Sequence, residues 1–217
     1  MQPNPSDTTV HPDVKIALVS MPGGGKSTIG RQLARRLNVD FVDADTVVEE
    51  RLGCSIRAYF EREGEDRFRD VEQQVIAELA AVPTAVLATG GGVVLRESNR
   101  NVLREKFTVV YLRSTPEDLF RRLRHDAKRP LLQVQDPLAR LRELYAARDP
   151  LYRQTAHYII ETGRPSVATL VNMILMQLEL AGIGIVGALC RLLVARRTAH
   201  SAFPARRSSR DGAGGSR

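Results

Sequence analysis

Apolar positions fall along this chain in short unbroken runs separated by longer amphipathic or charged stretches. The first run, residues 16–19, leads through a glycine-rich loop into a helical pattern that carries Leu33, Ala34 and Leu37 and ends near Asn38. Phe41 and Val42 form a second short run, closed by Asp43-Ala44-Asp45. Residues 46–52 have a helical pattern stopped by Gly53, and residues 56–79 form a charged helical stretch with a break at Gly64. Residues 85–88 are uninterrupted apolar and end in Thr89-Gly90-Gly91-Gly92, the pattern of a buried strand followed by a sharp, close-approach turn. A further apolar run covers residues 107–112. Thr115-Pro116-Glu117-Asp118 then supplies an N-cap, a proline at the first helical position and a carboxylate three residues on, predicting a helix to about His125. Residues 126–136 are polar around Arg129-Pro130-Leu131-Leu132 and form a loop or lid candidate at about 124–136. A helix over 137–148, a strand over 158–160 and an amphipathic helix from Ser166 to about Leu180 complete the pattern.

Five apolar runs alternating with helices predict an α/β protein: a doubly wound, five-stranded parallel sheet with helices on both faces. Right-handed crossovers bring the C-terminal ends of all strands to one edge. The glycine loop, Asp43 with Asp45, and residues 90–92 would all fall there.

Composition adds little until the charge is located. Of the net +7, residues 181–217 hold +6 (seven arginines against Asp211), so the preceding 180 residues are nearly neutral and predict no basic groove for nucleic acid. Cys54 and Cys190 make no disulfide framework, and the four scattered histidines have no ligand spacing. The N-terminus lacks the basic start and apolar core of a signal peptide. The longest uncharged apolar run, residues 180–190, is eleven residues with three glycines, short of the roughly 20 that a membrane span needs. The expectation is a cytoplasmic protein, a monomer, with no nucleic-acid or membrane partner. Residues 1–13 would be a flexible lead, residues 14–180 the folded domain and residues 181–217 a largely disordered tail.

The clearest chemistry lies in Ser20-Met21-Pro22-Gly23-Gly24-Gly25-Lys26-Ser27-Thr28. A strand, a glycine loop, Lys-Ser and a helix together make the P-loop that holds a nucleoside triphosphate. Loop N–H groups and the helix N-terminus face phosphate oxygens, Lys26 reaches the β- and γ-phosphates, and the Ser27 hydroxyl coordinates Mg²⁺. The first glycine of the pattern is replaced by Ser20, which costs energy if that position needs a positive φ. Asp43 and Asp45 point the same way as long as the chain stays extended. In phosphoryl transfer one such carboxylate holds Mg²⁺ and the other orients or deprotonates the attacking hydroxyl; the alternative is a solvated turn or helix cap. The strand over 85–88 ends without an acid, which leaves Asp43 for the metal. Arg69 and Arg148 are either binders of an acidic small molecule or plain surface arginines. Arg129 combines a lid position with the charge that stabilises a transferring phosphoryl group. Residues 90–92 either offer N–H groups to a substrate or make a tight turn.

Taken together, six segments in this order resemble the shikimate kinases, over about residues 15–180. They are residues 25–31, 41–45, 64–69, 89–92, 129–132 and 148–152. The resemblance implies a P-loop kinase fold and ATP-dependent phosphorylation of the 3-hydroxyl of shikimate, a step toward chorismate and the aromatic amino acids. It implies that Asp45, Arg69, Arg148 and the turn Gly90-Gly91-Gly92 bind shikimate. Arg69 and Arg148 would hold the carboxylate, and Asp45 the ring hydroxyls, with a possible role as base. Lys26, Asp45 and Arg129 would be catalytic. Gly23, Gly24, Gly25, Lys26, Ser27, Thr28, Arg122, Arg129 and Pro165 would contact ATP, with Arg122 and the loop 162–165 on the adenine side. Ser27 and Asp43 would hold Mg²⁺. The alternatives are another small-metabolite kinase on this scaffold, such as a gluconate or nucleoside-monophosphate kinase, or a kinase-like regulator without turnover. The segment after Leu180 has no counterpart in the resemblance. A chain truncated there is expected to keep nearly full ATP-dependent shikimate phosphorylation, and insolubility or loss of most activity at saturating ATP would show that the boundary is misplaced.

Overall fold

The structure is a computed structural model and describes residues 14–83, 85–124 and 134–183, all within the first of the chain's two units, residues 1–185. The expected lead 1–13, residues 125–133 of the expected lid and residues 184–217 of the expected tail lie outside the described residues.

Five parallel strands make one sheet in the order β2-β3-β1-β4-β5: β1 (Lys15–Val19), β2 (Asp40–Asp43), β3 (Ala85–Ala88), β4 (Thr108–Arg113) and β5 (Tyr158–Glu161). This is the predicted α/β arrangement. The central strand β1 is flanked by β3 and β4, with Leu18 paired to Ala88 on one side and Val110 on the other. Ile16, Ala17, Leu18 and Val19 are fully buried, as they must be in a central strand covered on both faces. The helices are α1 (Lys26–Leu37), α2 (Ala44–Leu52), α3 (Ile56–Glu63), α4 (Glu65–Ala81), α5 (Glu97–Lys106), α6 (Pro116–Leu123), α7 (Pro137–Thr155) and α8 (Val167–Leu180). Among them no helix is long and apolar enough to cross a membrane.

Local chemistry sets several boundaries as anticipated. Asn38 ends α1 in the left-handed conformation at φ 56°, and Thr115 accepts from the N–H of Asp118 to start α6. Other boundaries differ. The α6 helix stops at Leu123, short of the expected His125. The α7 helix runs past Arg148 and through Pro150 to Thr155. Burial of Leu141, Tyr152 and Thr155 on one flank of α7 holds the helix together across the hydrogen bond that proline removes.

Helix α5 was not anticipated at all. A three-residue 3₁₀ turn at Val93–Leu95 precedes it, and the buried Asn99 side chain donates to the carbonyl of Val93 at 3.1 Å. Asn99 thereby satisfies a buried carbonyl directly after the 90–92 turn. Asn99→Ala is expected to lower stability by about 1–3 kcal/mol, since the Val93 carbonyl loses its partner where water does not reach it. Urea unfolding of the two proteins measures the difference.

Candidate active site

The loop after β1 curls as the glycines require. Gly23 and Gly25 adopt φ of 80° and 87°, and the N–H of Gly24 donates to the carbonyl of Met21 at 3.0 Å. Ser20 is not among the residues with positive φ, so the conditional strain attached to its replacing glycine does not arise. The loop delivers the chain into α1 with Lys26, Ser27 and the exposed Thr28 in the first turn, where backbone N–H groups have no intrahelical acceptor. Lys26 Nζ donates to the main-chain carbonyl of Ser20 at 3.3 Å and to its hydroxyl at 3.1 Å.

At the end of β2 the expected geometry is corrected. The chain does not stay extended through Asp45, because α2 begins at Ala44 and Asp43 becomes its N-cap, accepting from the N–H of Asp45 at 3.2 Å. The two carboxylates therefore diverge. Asp43 turns to the phosphate loop and accepts from the Ser27 hydroxyl at 2.6 Å. Asp45 turns to the glycine turn: a Cβ placed on Gly90 would lie 2.7 Å from Asp45 Oδ1 and 2.8 Å from Glu72 Oε1. Burial raises the Asp45 carboxyl above its ordinary range, Lys26 opposes this, and Asp43 and Glu49 reinforce it.

The same turn collects both arginines. A Cβ on Gly92 would collide with the Arg69 guanidinium, and Arg148 Nη1 donates to the carbonyl of Gly91 at 3.1 Å. On its other side the turn meets the phosphate loop, where a Cβ on Gly91 would lie 2.7 Å from Pro22 Cγ. Arg69 is only 8% exposed and pairs with Glu72 at 2.7 Å and with Glu65 at 2.9 Å. Burial pushes the Glu72 carboxyl up and the Arg69 guanidinium pulls it back. Arg69 is thus a held, mostly enclosed cation and not a loose surface arginine.

Two residues of this cluster escaped the sequence reading. Glu72 lies at i+3 from Arg69 on α4, a spacing that marks helical ion pairs, but on a heavily charged helix the spacing alone does not single it out. Tyr152 is fully buried, stacks on Tyr111 with ring centroids 4.9 Å apart, and donates its hydroxyl to the carbonyl of Gly91 beside Arg148. It was visible only as part of the 148–152 segment.

On the far side of the phosphate loop, Arg122 donates to the Ser114 hydroxyl at 3.2 Å and to the carbonyl of Thr162. Thr162 is itself buried against Ser114 and the carbonyl of Arg113. Arg122 is therefore tied to the start of the 162–165 loop, in which Pro165 is half-buried. Arg129 lies outside the described residues. The described residues hold no group of three or more His, Cys, Asp or Glu side chains able to hold a metal.

Sequence comparison bears on this geometry directly. A sequence model described as shikimate kinase matches residues 22–179. The chain belongs to the shikimate kinase family. A shikimate kinase of Paracidovorax citrulli is 60% identical over 175 residues, covering 79% of this chain and 96% of the relative. One from Ralstonia nicotianae is 57% identical, covering 77% and 88%. The solved shikimate kinase from Acinetobacter baumannii in complex with shikimate is 42% identical with a TM-score of 0.72, covering 78% of this chain and 94% of its own. The shikimate kinase fold thus accounts for the described residues, and the 64–69 and 148–152 segments are the ones that bring Arg69 and Arg148 to the glycine turn.

The Arg69–Glu72 pair has a measurable consequence. Glu72→Gln leaves the buried guanidinium with the exposed Glu65 as its remaining ion pair among the described residues, and is expected to cost about 2–4 kcal/mol in urea unfolding, toward the range for breaking buried pairs. A cost of a few tenths would mean that Glu72 does not hold Arg69.

Proposed function

We propose that this protein transfers the γ-phosphoryl group of ATP to the 3-hydroxyl of shikimate, giving shikimate 3-phosphate and ADP. The observation that carries the reading is the crowding of Asp45, Arg69 and Arg148 around residues 90–92, pressed against the phosphate loop in a member of the shikimate kinase family. Gluconate has a carboxylate but no need for this paired-arginine arrangement beside Asp45, so family and site favour shikimate over the gluconate alternative. Intact Lys26, Ser27, Asp43 and Asp45 favour turnover over a regulator that only binds.

In this reading the planar carboxylate of shikimate docks on Arg69 and Arg148, whose fork-shaped donors match it. To reach Arg69 it displaces the exposed carboxylate of Glu65, while Glu72 keeps the guanidinium in place. Residues 90–92 present bare backbone to the ring, the space of their Cβ atoms being taken by Asp45, Glu72, Pro22 and Arg69. Asp45 receives the ring hydroxyls and takes the proton of the 3-hydroxyl as its oxygen bonds to the γ-phosphorus and the bond to the ADP oxygen breaks. Lys26 supplies positive charge where the transferring group gathers negative charge. Arg122 and the 162–165 loop wall the adenine side, and the family resemblance assigns Arg129 to the phosphates.

Magnesium fits the residues present. Ser27 and Asp43 offer two hard oxygens 2.6 Å apart at the mouth of the phosphate loop, and Mg²⁺ takes one or two protein oxygens, the phosphates and water. There it would neutralise phosphate charge. Dependence on ATP supports a cytoplasmic setting.

A coupled ADP-release assay with shikimate and with gluconate tests the reading; turnover with gluconate alone would end it. Lys26→Ala is expected to reduce kcat by about 10²–10³-fold or more. Arg69→Ala and Arg148→Ala are each expected to raise the KM for shikimate by roughly tenfold to a hundredfold with ATP affinity nearly unchanged. Equal loss of both affinities would remove their assignment.

The raised Asp45 carboxyl gives a pH dependence with a definite sign. A base whose pKa is raised collects its proton at higher pH than an ordinary aspartate, at 3.8, would. The value of kcat/KM for shikimate should therefore hold at neutral pH and fall as pH drops through a point above 3.8, with Asp45→Asn at least about 10²-fold slower at neutral pH. An acid limb no higher than that of a free aspartate would exclude Asp45 as the base.

A further inference from the structure

Ser20 stands where the phosphate-loop pattern has its first glycine, and it is fully buried. Its Oγ donates to the carbonyl of Met21 at 2.9 Å and accepts from Lys26 Nζ at 3.1 Å, while the main-chain carbonyl of Ser20 accepts from the same ammonium at 3.3 Å. Glycine at this position would offer the carbonyl alone. Across the loop, a Cβ on Gly24 would fall well inside van der Waals contact with Ser20 Oγ and 2.8 Å from Ser20 Cβ, with Met21 O next at 3.1 Å. Gly24 is not among the glycines with positive φ, so space and not backbone conformation demands a glycine there.

We propose that Ser20 is a positioning residue for Lys26, and that its side chain obliges position 24 to be glycine. Lysine has a long stem whose rotamer freedom must be given up before Nζ can sit among phosphates. A second acceptor beside the Ser20 carbonyl removes part of that freedom before ATP arrives, which is preorganisation of a binding group. The hydroxyl suits the task because it is neutral and bifunctional. It accepts from Lys26 while its own proton is spent on Met21 O, so no buried polar atom is orphaned and the ammonium keeps its full charge for phosphate. The space this side chain fills is the space a side chain at position 24 would need. The two positions are therefore coupled: one of them can carry a side chain, not both.

The test rests on ATP being the nucleotide held by this loop, and it reads ATP binding directly, by calorimetric titration of the full-length chain without shikimate. Ser20→Ala is expected to raise the ATP Kd about tenfold or more, by losing one hydrogen bond to a charged group. The KM for shikimate should stay within about twofold, because the Ser20 hydroxyl spends its hydrogen bonds on Met21 and Lys26. Gly24→Ala in the native background is expected to raise the ATP Kd more than about tenfold. In a Ser20→Gly background the same change should raise it by no more than about threefold, because the two nearest obstructions, Ser20 Oγ and Cβ, are gone and the next atom, the Met21 carbonyl oxygen, lies at 3.1 Å. Wild-type ATP affinity in Ser20→Ala would overturn the positioning role. If Ser20→Ala does not fold, Ser20→Gly, which removes the same hydroxyl, is read in its place. Equal harm from Gly24→Ala in both backgrounds would overturn the coupling. A wild-type chain that binds ATP but leaves shikimate unphosphorylated would refute the function proposed above and leave these comparisons standing.

Discussion

Three consecutive residues without side chains, Gly90, Gly91 and Gly92, are the constraint on which the site depends. Each occupies space that a neighbour needs: Asp45 and Glu72 press on the first, Pro22 on the second and Arg69 on the third. The turn is thus the place where α2, α4 and the phosphate loop converge on the end of β3. Any Cβ there would push apart the groups that have to act together, and packed interiors do not absorb that much displacement cheaply. The carbonyl of Gly91 is in turn held by Arg148 and Tyr152, which brings α7 into the same junction.

The electrostatics follow from that crowding. Lys26, Asp43, Asp45, Arg69, Glu72 and Arg148 occupy one enclosed rim, so each carries the field of the others in a medium less screening than water. Asp45 and Glu72, both mostly removed from solvent, are pushed toward their protonated forms, and the cations nearby pull them back. Asp43, drawn aside as a helix cap, faces the Ser27 hydroxyl, while Asp45 faces the glycine turn beside Glu72. A turn of one residue in the backbone at Ala44 separates a carboxylate on the phosphate loop from one on the glycine turn.

Rigidity on the opposite flank comes from one carboxylate, Asp149. It accepts from Tyr111 at 2.9 Å and Arg153 at 2.6 Å, and lies 3.4 Å from Arg113, tying α7 to β4. Burial would raise the Asp149 carboxyl, but the donors from Arg153, Tyr111 and Tyr145 outweigh burial and hold it below its ordinary range. Asp149 is adjacent to Arg148, so the anchoring of one sets the direction of the other. Pro150 costs α7 a backbone hydrogen bond at this point, and burial of Tyr152 and the Asp149 network offset it.

Local pattern was enough to locate the five strands, the phosphate loop and most helix starts, because strand burial, glycine turns and N-caps such as Thr115 are decided within a few residues. Family resemblance, carried by segments short enough to read in a line, named the site residues. What sequence left undecided lay wherever distant parts of the chain meet. Helix α5 has no strong apolar period of its own and is held by the buried Asn99 and Leu103. Continuation of α7 through Pro150 depends on packing that a local propensity does not contain. The divergence of Asp43 and Asp45, the enclosure of Arg69 by Glu72, and the mutual exclusion of side chains at positions 20 and 24 are facts of position in space. Residue identity along the chain determined which groups this protein has; only the tertiary fold, by burying them a few ångströms apart, decided which of them face each other.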